Sequence, residues 1–139
     1  GERRVQTDMV RGTVSWQFAT DINTKGLQVR GRSMQMAVLR GKQQLFSVDE
    51  GTGLFRPTFE GWKMIPEGYR VRIDAFVPQG DVLAPGIVDC DPRIREGDEV
   101  LVEGPLALAT GRAMMGADEM LRSKRGVAVR VRKTKKLGE

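Results

Sequence analysis

Apolar and polar positions in this chain alternate in short runs, and 17 glycines and 6 prolines break those runs every few residues. Such punctuation favours many short strands over long helices. Residues Gly12–Phe18 alternate and include Val14, Trp16 and Phe18, so the pattern predicts a strand there. Leu27–Arg30 alternates as well. The apolar run Met34–Leu39 meets Arg40-Gly41-Lys42, a turn that leads into Gln43–Val48 as a hairpin partner. Asp49–Gly53 is a loop and Leu54–Pro57 is extended. Pro57 to Ile65 is expected to hold a short helix with Phe59, Trp62 and Met64 or Ile65 inward, weakened by Gly61. Trp16, Phe18, Phe55 and Trp62 are expected to build this half's core.

Pro66-Glu67-Gly68 marks a boundary. Beyond it, Tyr69–Asp74 alternates, Asp98–Glu103 reads as a strand between glycines, and Leu106–Ala113 as its antiparallel neighbour. Gly116–Ser123 is the clearest helix, with Asp118 and Glu119 early, Arg122 late and Gly126 as its stop. Met114, Met115 and Met120 fill the core around it. In the last strand, Val127–Arg132, Val127, Val129 and Val131 face inward and Arg130 and Arg132 outward. The expected fold class is mainly β (α+β), with two units over 1–66 and 68–136. Eight or more short strands surround one or two short helices, and the second unit closes into a small barrel that removes its edges.

With 23 Lys+Arg against 18 Asp+Glu, the distribution of charge matters more than the net +5. Residues 88–103 carry six acids and two bases, whereas 121–139 carry eight bases and one acid. A concentrated positive field suits a phosphate backbone, or less readily an anionic membrane surface; a solvated tail is the bland alternative. No apolar run of about 18 residues exists, so no membrane partner is expected. The start, Gly1-Glu2-Arg3-Arg4, does not resemble a secretion signal, and one cysteine, Cys90, fits a reducing, cytoplasmic setting.

Several chemistries lack their residues. The chain has no histidine, which removes the usual neutral-pH base and the commonest metal ligand. A single cysteine forms no Cys-pair metal motif, and Cys90 between Asp89 and Asp91 is a poor nucleophile. No Gly-Lys-Ser/Thr phosphate loop occurs, and Gly51 and Gly53 are better explained as turn residues. Asp89, Asp91, Glu96, Asp98 and Glu99 do not have calcium-loop spacing and read as turn and cap residues. No catalytic residue, metal or cofactor is expected.

Four stretches resemble the PUA domain. Val82-Leu83-Ala84-Pro85-Gly86-Ile87-Val88 is similar to its v-x-A-P-G-V segment, and Asp91 to Val100 to its D-P-x-I-x-x-G-D-x-V turn and strand. Leu108 to Ala113 is similar to l-A-x-G-x-A, and Gly126 to Val131 to G-x-A-V-x-V, all in family order. Asp89-Cys90-Asp91-Pro92, Ala109–Ala113, Val10–Phe18 and Asp49–Phe55 narrow the resemblance to the C-terminal region of archaeal tRNA-guanine transglycosylases and related archaeosine-formation proteins. That region is a small α+β domain followed by a PUA pseudo-barrel. The chain lacks the transglycosylase barrel with its catalytic aspartates and zinc cysteines, and the lysine motif expected of archaeosine synthase. It is therefore a stand-alone relative or a piece of a larger enzyme.

The resemblance implies binding of tRNA or another structured RNA, at the acceptor stem and 3′ end, in support of tRNA modification. It places the RNA-binding cleft at Ala84, Pro85, Gly86, Ile87 and Val88, where Gly86 admits a close backbone approach, and along Gly111 and Arg112. Arg122, Lys124, Arg125, Arg130, Arg132 and Lys133 are expected to add nonspecific phosphate contacts. The alternative is a protein-interaction subunit docking on a catalytic tRNA-modification partner. An enzyme acting alone is disfavoured by the missing chemistry.

Overall fold

The computed structural model describes residues 2–32 and 35–138; side chains of Glu2, Arg3 and Val5 are not considered. The chain divides into two compact units, Gly1–Pro66 and Glu67–Glu139. Among the described residues there are ten strands and three α-helices, a mainly β, α+β fold.

The first unit opens with helix α1 (Glu2–Phe18), followed by β1 (Leu27–Arg30), β2 (Ala37–Arg40), β3 (Gln43–Val48), β4 (Phe55–Pro57) and α2 (Phe59–Trp62). Its strands form an antiparallel sheet in the order β1-β2-β3-β4. The strand expected over Gly12–Phe18 is instead the end of α1. Val10, Val14 and Phe18 recur every four residues and are all buried, a helical stripe that outweighs the local alternation. Ala19, at φ 53°, ends the helix in the left-handed conformation. Trp16 falls on the opposite face and is 76% exposed, so it is no part of the core. The core instead pairs Phe18 edge-on with Trp62, ring centroids 5.3 Å apart, together with Phe46, Phe55 and Ile65. Thr58 caps α2 by accepting the Gly61 N–H, and Pro57 belongs to β4. The β2–β3 hairpin turns at Gly41 as expected; Met34, which opens the apolar run before it, lies outside the described residues.

The second unit comprises β5 (Arg70–Ile73), β6 (Val82–Leu83), β7 (Ile87–Cys90), β8 (Glu99–Glu103), β9 (Ala107–Ala113), α3 (Ala117–Arg122) and β10 (Val127–Lys136). The sheet order is β6-β10-β9-β8-β5-β7, with β5 and β8 parallel and the other pairs antiparallel. The two outermost strands, β6 and β7, are consecutive in sequence. A single 3-10 turn, Ala84–Gly86, joins them. The sheet must therefore curl until its edges meet, which gives a pseudo-barrel with the 3-10 turn as its seam. Val71, Ile73, Val82, Val100, Val102, Ala109, Ala128 and Val129 fill the interior, and Met115 and Met120 belong to the same core. Helix α3 packs against the seam turn and β7. It stops at Arg122, capped by Ser123, so Gly126 (φ 100°) is the turn into β10 and not the helix stop.

Candidate nucleic-acid interface

The seam is fixed from both sides. Ala84 is buried, and its N–H donates to the Gly126 carbonyl at 3.0 Å, which ties the turn to the entrance of β10. Pro85 occupies the first positions of the turn, where a missing N–H costs nothing. At Gly86, a Cβ would lie 3.1 Å from Cζ of Phe76. The space expected to admit an RNA backbone is therefore taken by an aromatic ring. Ile87 is half-buried and Val88 exposed as the chain enters β7.

Gly111 requires a correction. It is buried in β9, and a Cβ there would collide with the carbonyl oxygen of Arg130 in β10. It allows two strands to approach and offers RNA no surface. Arg112 is half-buried in β9, with Glu99 of β8 as its register neighbour on one side and Arg130 of β10 on the other.

Arg132 also departs from expectation. Its guanidinium forms a two-point ion pair with Glu99, whose side chain is 1% exposed. A carboxylate buried this deeply needs a cation and its hydrogen bonds, so Arg132 is committed within the protein. The β10 register also shifts between Val131 and Lys133, which ends the simple inward-outward alternation expected of this strand.

The remaining cations are exposed, as Arg132 is, but are not paired with a buried carboxylate among the described residues. Arg122 closes α3 with its Nε on the Asp118 carbonyl, and Lys124 and Arg125 follow in the turn that leads to Gly126. Arg130 and Lys133 lie on β10. Among the described residues, no carboxylate pairs with Lys124, Arg125, Arg130 or Lys133. Because β10 continues to Lys136, exposed Lys135 and Lys136 extend this basic strip. Their charges were visible in the sequence, but the strand was expected to stop at Arg132.

The acidic stretch does structural work. Asp91 accepts the N–H groups of Tyr69 and Arg93 and pairs with the Arg93 side chain. Asp98 accepts the Arg95 N–H at 2.8 Å. Burial, and then Asp89 and Asp91, push the Cys90 thiol up, the wrong direction for a nucleophile. No metal-holding group of His, Cys, Asp and Glu occurs among the described residues.

Residues 70–134 match the PUA domain family. This segment is a PUA domain.

The chain is 47% identical to archaeosine synthase subunit alpha of Methanosarcina acetivorans over 78% of its own length and 18% of that protein. It is 31% identical to tRNA-guanine(15) transglycosylase of Methanocaldococcus jannaschii over 88% of its length and 22% of that protein. The chain thus spans about a fifth of these curated relatives. Among solved structures, it superposes on AF0587, a protein of unknown function, with a TM-score of 0.79 and 26% identity, covering 91% of this chain and 46% of that one. A conserved PUA domain protein from Thermoplasma acidophilum shares the fold, with a TM-score of 0.69 and 24% identity over 97% and 91% of the two chains.

Each PUA stretch has a packing reason in this structure. Ala84, Ile94, Val100, Ala109, Ala113, Ala128 and Val129 are buried. Asp91 holds its turn by hydrogen bonds, Gly97 and Gly126 adopt positive φ, and Gly111 admits β10. The PUA pattern therefore specifies the barrel, and the exposed cations lie mostly between its fixed positions.

Proposed function

We propose that this chain is the RNA-holding part of a tRNA-modification system in archaeosine formation, with no catalytic site of its own. Its PUA domain grips the acceptor stem and 3′ end of tRNA. The observation that carries this reading is the set of exposed cations without carboxylate partners, Lys124, Arg125, Arg130 and Lys133, next to or continuous with the strand that the seam turn is bonded to. Such cations release counterions from phosphates and give salt-dependent binding. The named activities of the relatives, archaeosine synthesis and tRNA-guanine transglycosylation, support tRNA as the RNA. Arg112 and the seam residues Pro85, Ile87 and Val88 complete the proposed surface, and buried Ala84 anchors the turn that presents them. A catalytic partner, or a catalytic portion of a longer chain, supplies the chemistry.

The test is a titration with a tRNA transcript, and with the same transcript lacking its 3′ end, at two salt concentrations. Binding that weakens with salt and falls on 3′ truncation supports the reading. Equal binding of both RNAs removes the 3′-end assignment, and absence of binding removes RNA as the partner. Docking on a protein partner is the second reading, favoured by exposed Trp16 and Met9 on α1. Retention of a catalytic subunit, lost on Trp16→Ala, would support it.

A further inference from the structure

The first unit carries a basic cleft of its own. It lies where the loop after α1, the end of β2 and the end of α2 come together, and it encloses about 420 Å³. Exposed Lys25, Arg40 and Lys63 line it, together with buried Ile22 and half-buried Met64. The carboxylate among the lining residues is Asp21, and Arg11, outside the cleft, donates to both of its oxygens at 2.6 Å. Lys63 meets Glu60 at 2.8 Å, an exposed pair of the weak kind. Among the described residues, no carboxylate pairs with Lys25 or Arg40.

The backbone fixes where these cations stand. The Ile22 N–H donates to the Asp21 carboxylate at 3.0 Å, the Lys25 N–H to the Asn23 side-chain oxygen at 3.0 Å, and the Leu27 N–H to the Thr24 carbonyl at 3.1 Å. Arg40, the register partner of Leu27, donates a guanidinium N–H to the Asn23 carbonyl at 2.9 Å. Its Nε lies 4.0 Å from where a Cβ of Gly26 would be, so the guanidinium rests along the bare turn. That bond sets the plane of the guanidinium, which carries further N–H donors in the same plane. The turn that bears Lys25 is therefore the turn that Arg40 clamps. Cations beside apolar side chains, with the one lining carboxylate already paired, concentrate a positive potential in the cleft. A cationic ligand finds no open carboxylate there. A phosphate group, with about −1.5 to −2 charge and three acceptor oxygens as a monoester, matches several cations at once.

We propose that this cleft is an oxyanion site for a phosphate group, with Arg40 and Lys25 as its main contacts and Lys63, exchanged from Glu60, as the third. The phosphate belongs to a nucleic-acid backbone or to a small phosphate compound, and the recognising chemistry is the same for both. The site lies wholly in the first unit and does not rest on the RNA reading of the PUA domain.

The experiment titrates the isotope-labelled full chain with inorganic phosphate at constant ionic strength, and separately with a tRNA transcript, while backbone N–H resonances are followed by NMR. The wild type is compared with Lys25→Ala, Arg40→Gln and Lys42→Ala. Lys42 is exposed in the β2–β3 turn and does not line the cleft, so it controls for charge alone. Lys25 and Lys42 are both exposed, and neither substitution removes a buried side chain. Phosphate is expected to shift the Asn23, Lys25 and Gly26 resonances to saturation. Lys25→Ala and Arg40→Gln each weaken this binding roughly 10-fold, and Lys42→Ala leaves it unchanged. If the transcript moves the same resonances, and Lys25→Ala lowers the dependence of log affinity on log salt by roughly 0.7–0.9, the phosphate is that of an RNA backbone. If the transcript leaves those resonances in place while phosphate moves them, the ligand is a small phosphate compound. Absence of a saturable shift with phosphate, or equal losses from Lys42→Ala and Lys25→Ala, overturns the site whatever the PUA domain binds. Phosphate binding without any RNA binding retains the site and removes the RNA reading instead.

Discussion

The side-chain amide of Gln17 completes the open edge of β4. Its Nε2 donates to the Phe55 carbonyl and its Oε1 accepts the Phe55 N–H, both at 2.8 Å. β4 is the last strand of its sheet, so these two backbone groups have no strand to meet on that side. The amide supplies both a donor and an acceptor, as a neighbouring strand would. It also fixes α1 against the sheet one residue before buried Phe18.

Gln17→Leu leaves both Phe55 groups unsatisfied in a part-buried site and is expected to cost about 2–4 kcal/mol. Both tryptophans, Trp16 and Trp62, lie in the first unit, so urea unfolding followed by tryptophan fluorescence reports this loss. An unchanged midpoint would show that water replaces the amide without penalty.

Arg132→Met strands Glu99 as an uncompensated buried charge and is expected to destabilise the PUA domain by about 3–5 kcal/mol. Adding Glu99→Gln to that variant should recover most of the loss. Thermal unfolding followed by circular dichroism measures both, and a double variant no more stable than the single one would argue against the pairing.

Lys124→Ala and Arg125→Ala should each reduce the dependence of log affinity for RNA on log salt by roughly 0.7–0.9. Arg132→Gln should leave that slope unchanged wherever the protein remains folded, because its charge faces Glu99. Affinities measured from low to moderate salt separate the two classes, and a slope lowered equally by Arg132→Gln would return that residue to the RNA surface.

Asp91 and Asp98 should give opposite pH effects. Burial pushes Asp91 up, but the Arg93 side chain and the N–H groups of Arg93 and Tyr69 outweigh it and hold the carboxyl below its ordinary range. The folded state then binds fewer protons than the unfolded chain between the two pKa values, so this contribution grows with pH and is lost as pH falls through the lowered value. At Asp98, burial outweighs the Arg95 N–H and charge, and the carboxyl is raised. Its contribution therefore declines as pH rises from the ordinary to the raised value. Asp91→Ala should cost about 1–3 kcal/mol at pH 7, a gap that narrows in acid. Asp98→Asn should stabilise at pH 7, with the gain gone below about pH 4. Urea midpoints across that range decide both.

Much of the barrel was legible from local pattern. Tyr69–Asp74 alternates because one face of its strand meets the core, Asp98–Glu103 and Leu106–Ala113 hold apolar runs that are buried along most of their length, and the family stretches mark places where burial, a turn or a close approach restricts the residue. Gly12–Phe18 misled because its local alternation competes with a four-residue stripe that begins earlier, at Val10. Helix won once Val10, Val14 and Phe18 could be buried together.

The site was less legible, for a physical reason. An exposed cation obeys no packing constraint, so Lys124, Arg125 and Arg130 appear in the sequence only as charge, and nothing local separates them from Arg132. Glu99 makes that distinction, 33 residues away along the chain. Phe76 and Gly86 are likewise separate features until the loop places one on the other. The sequence by itself determined the strands, the small buried positions of the PUA pattern and the basic character of the final strand, because hydrophobic period, turn chemistry and net charge are local. The tertiary structure alone decided which arginine is paired with a buried carboxylate, which glycine is covered and which aromatic stays open, because burial and pairing depend on what the curled sheet brings from elsewhere.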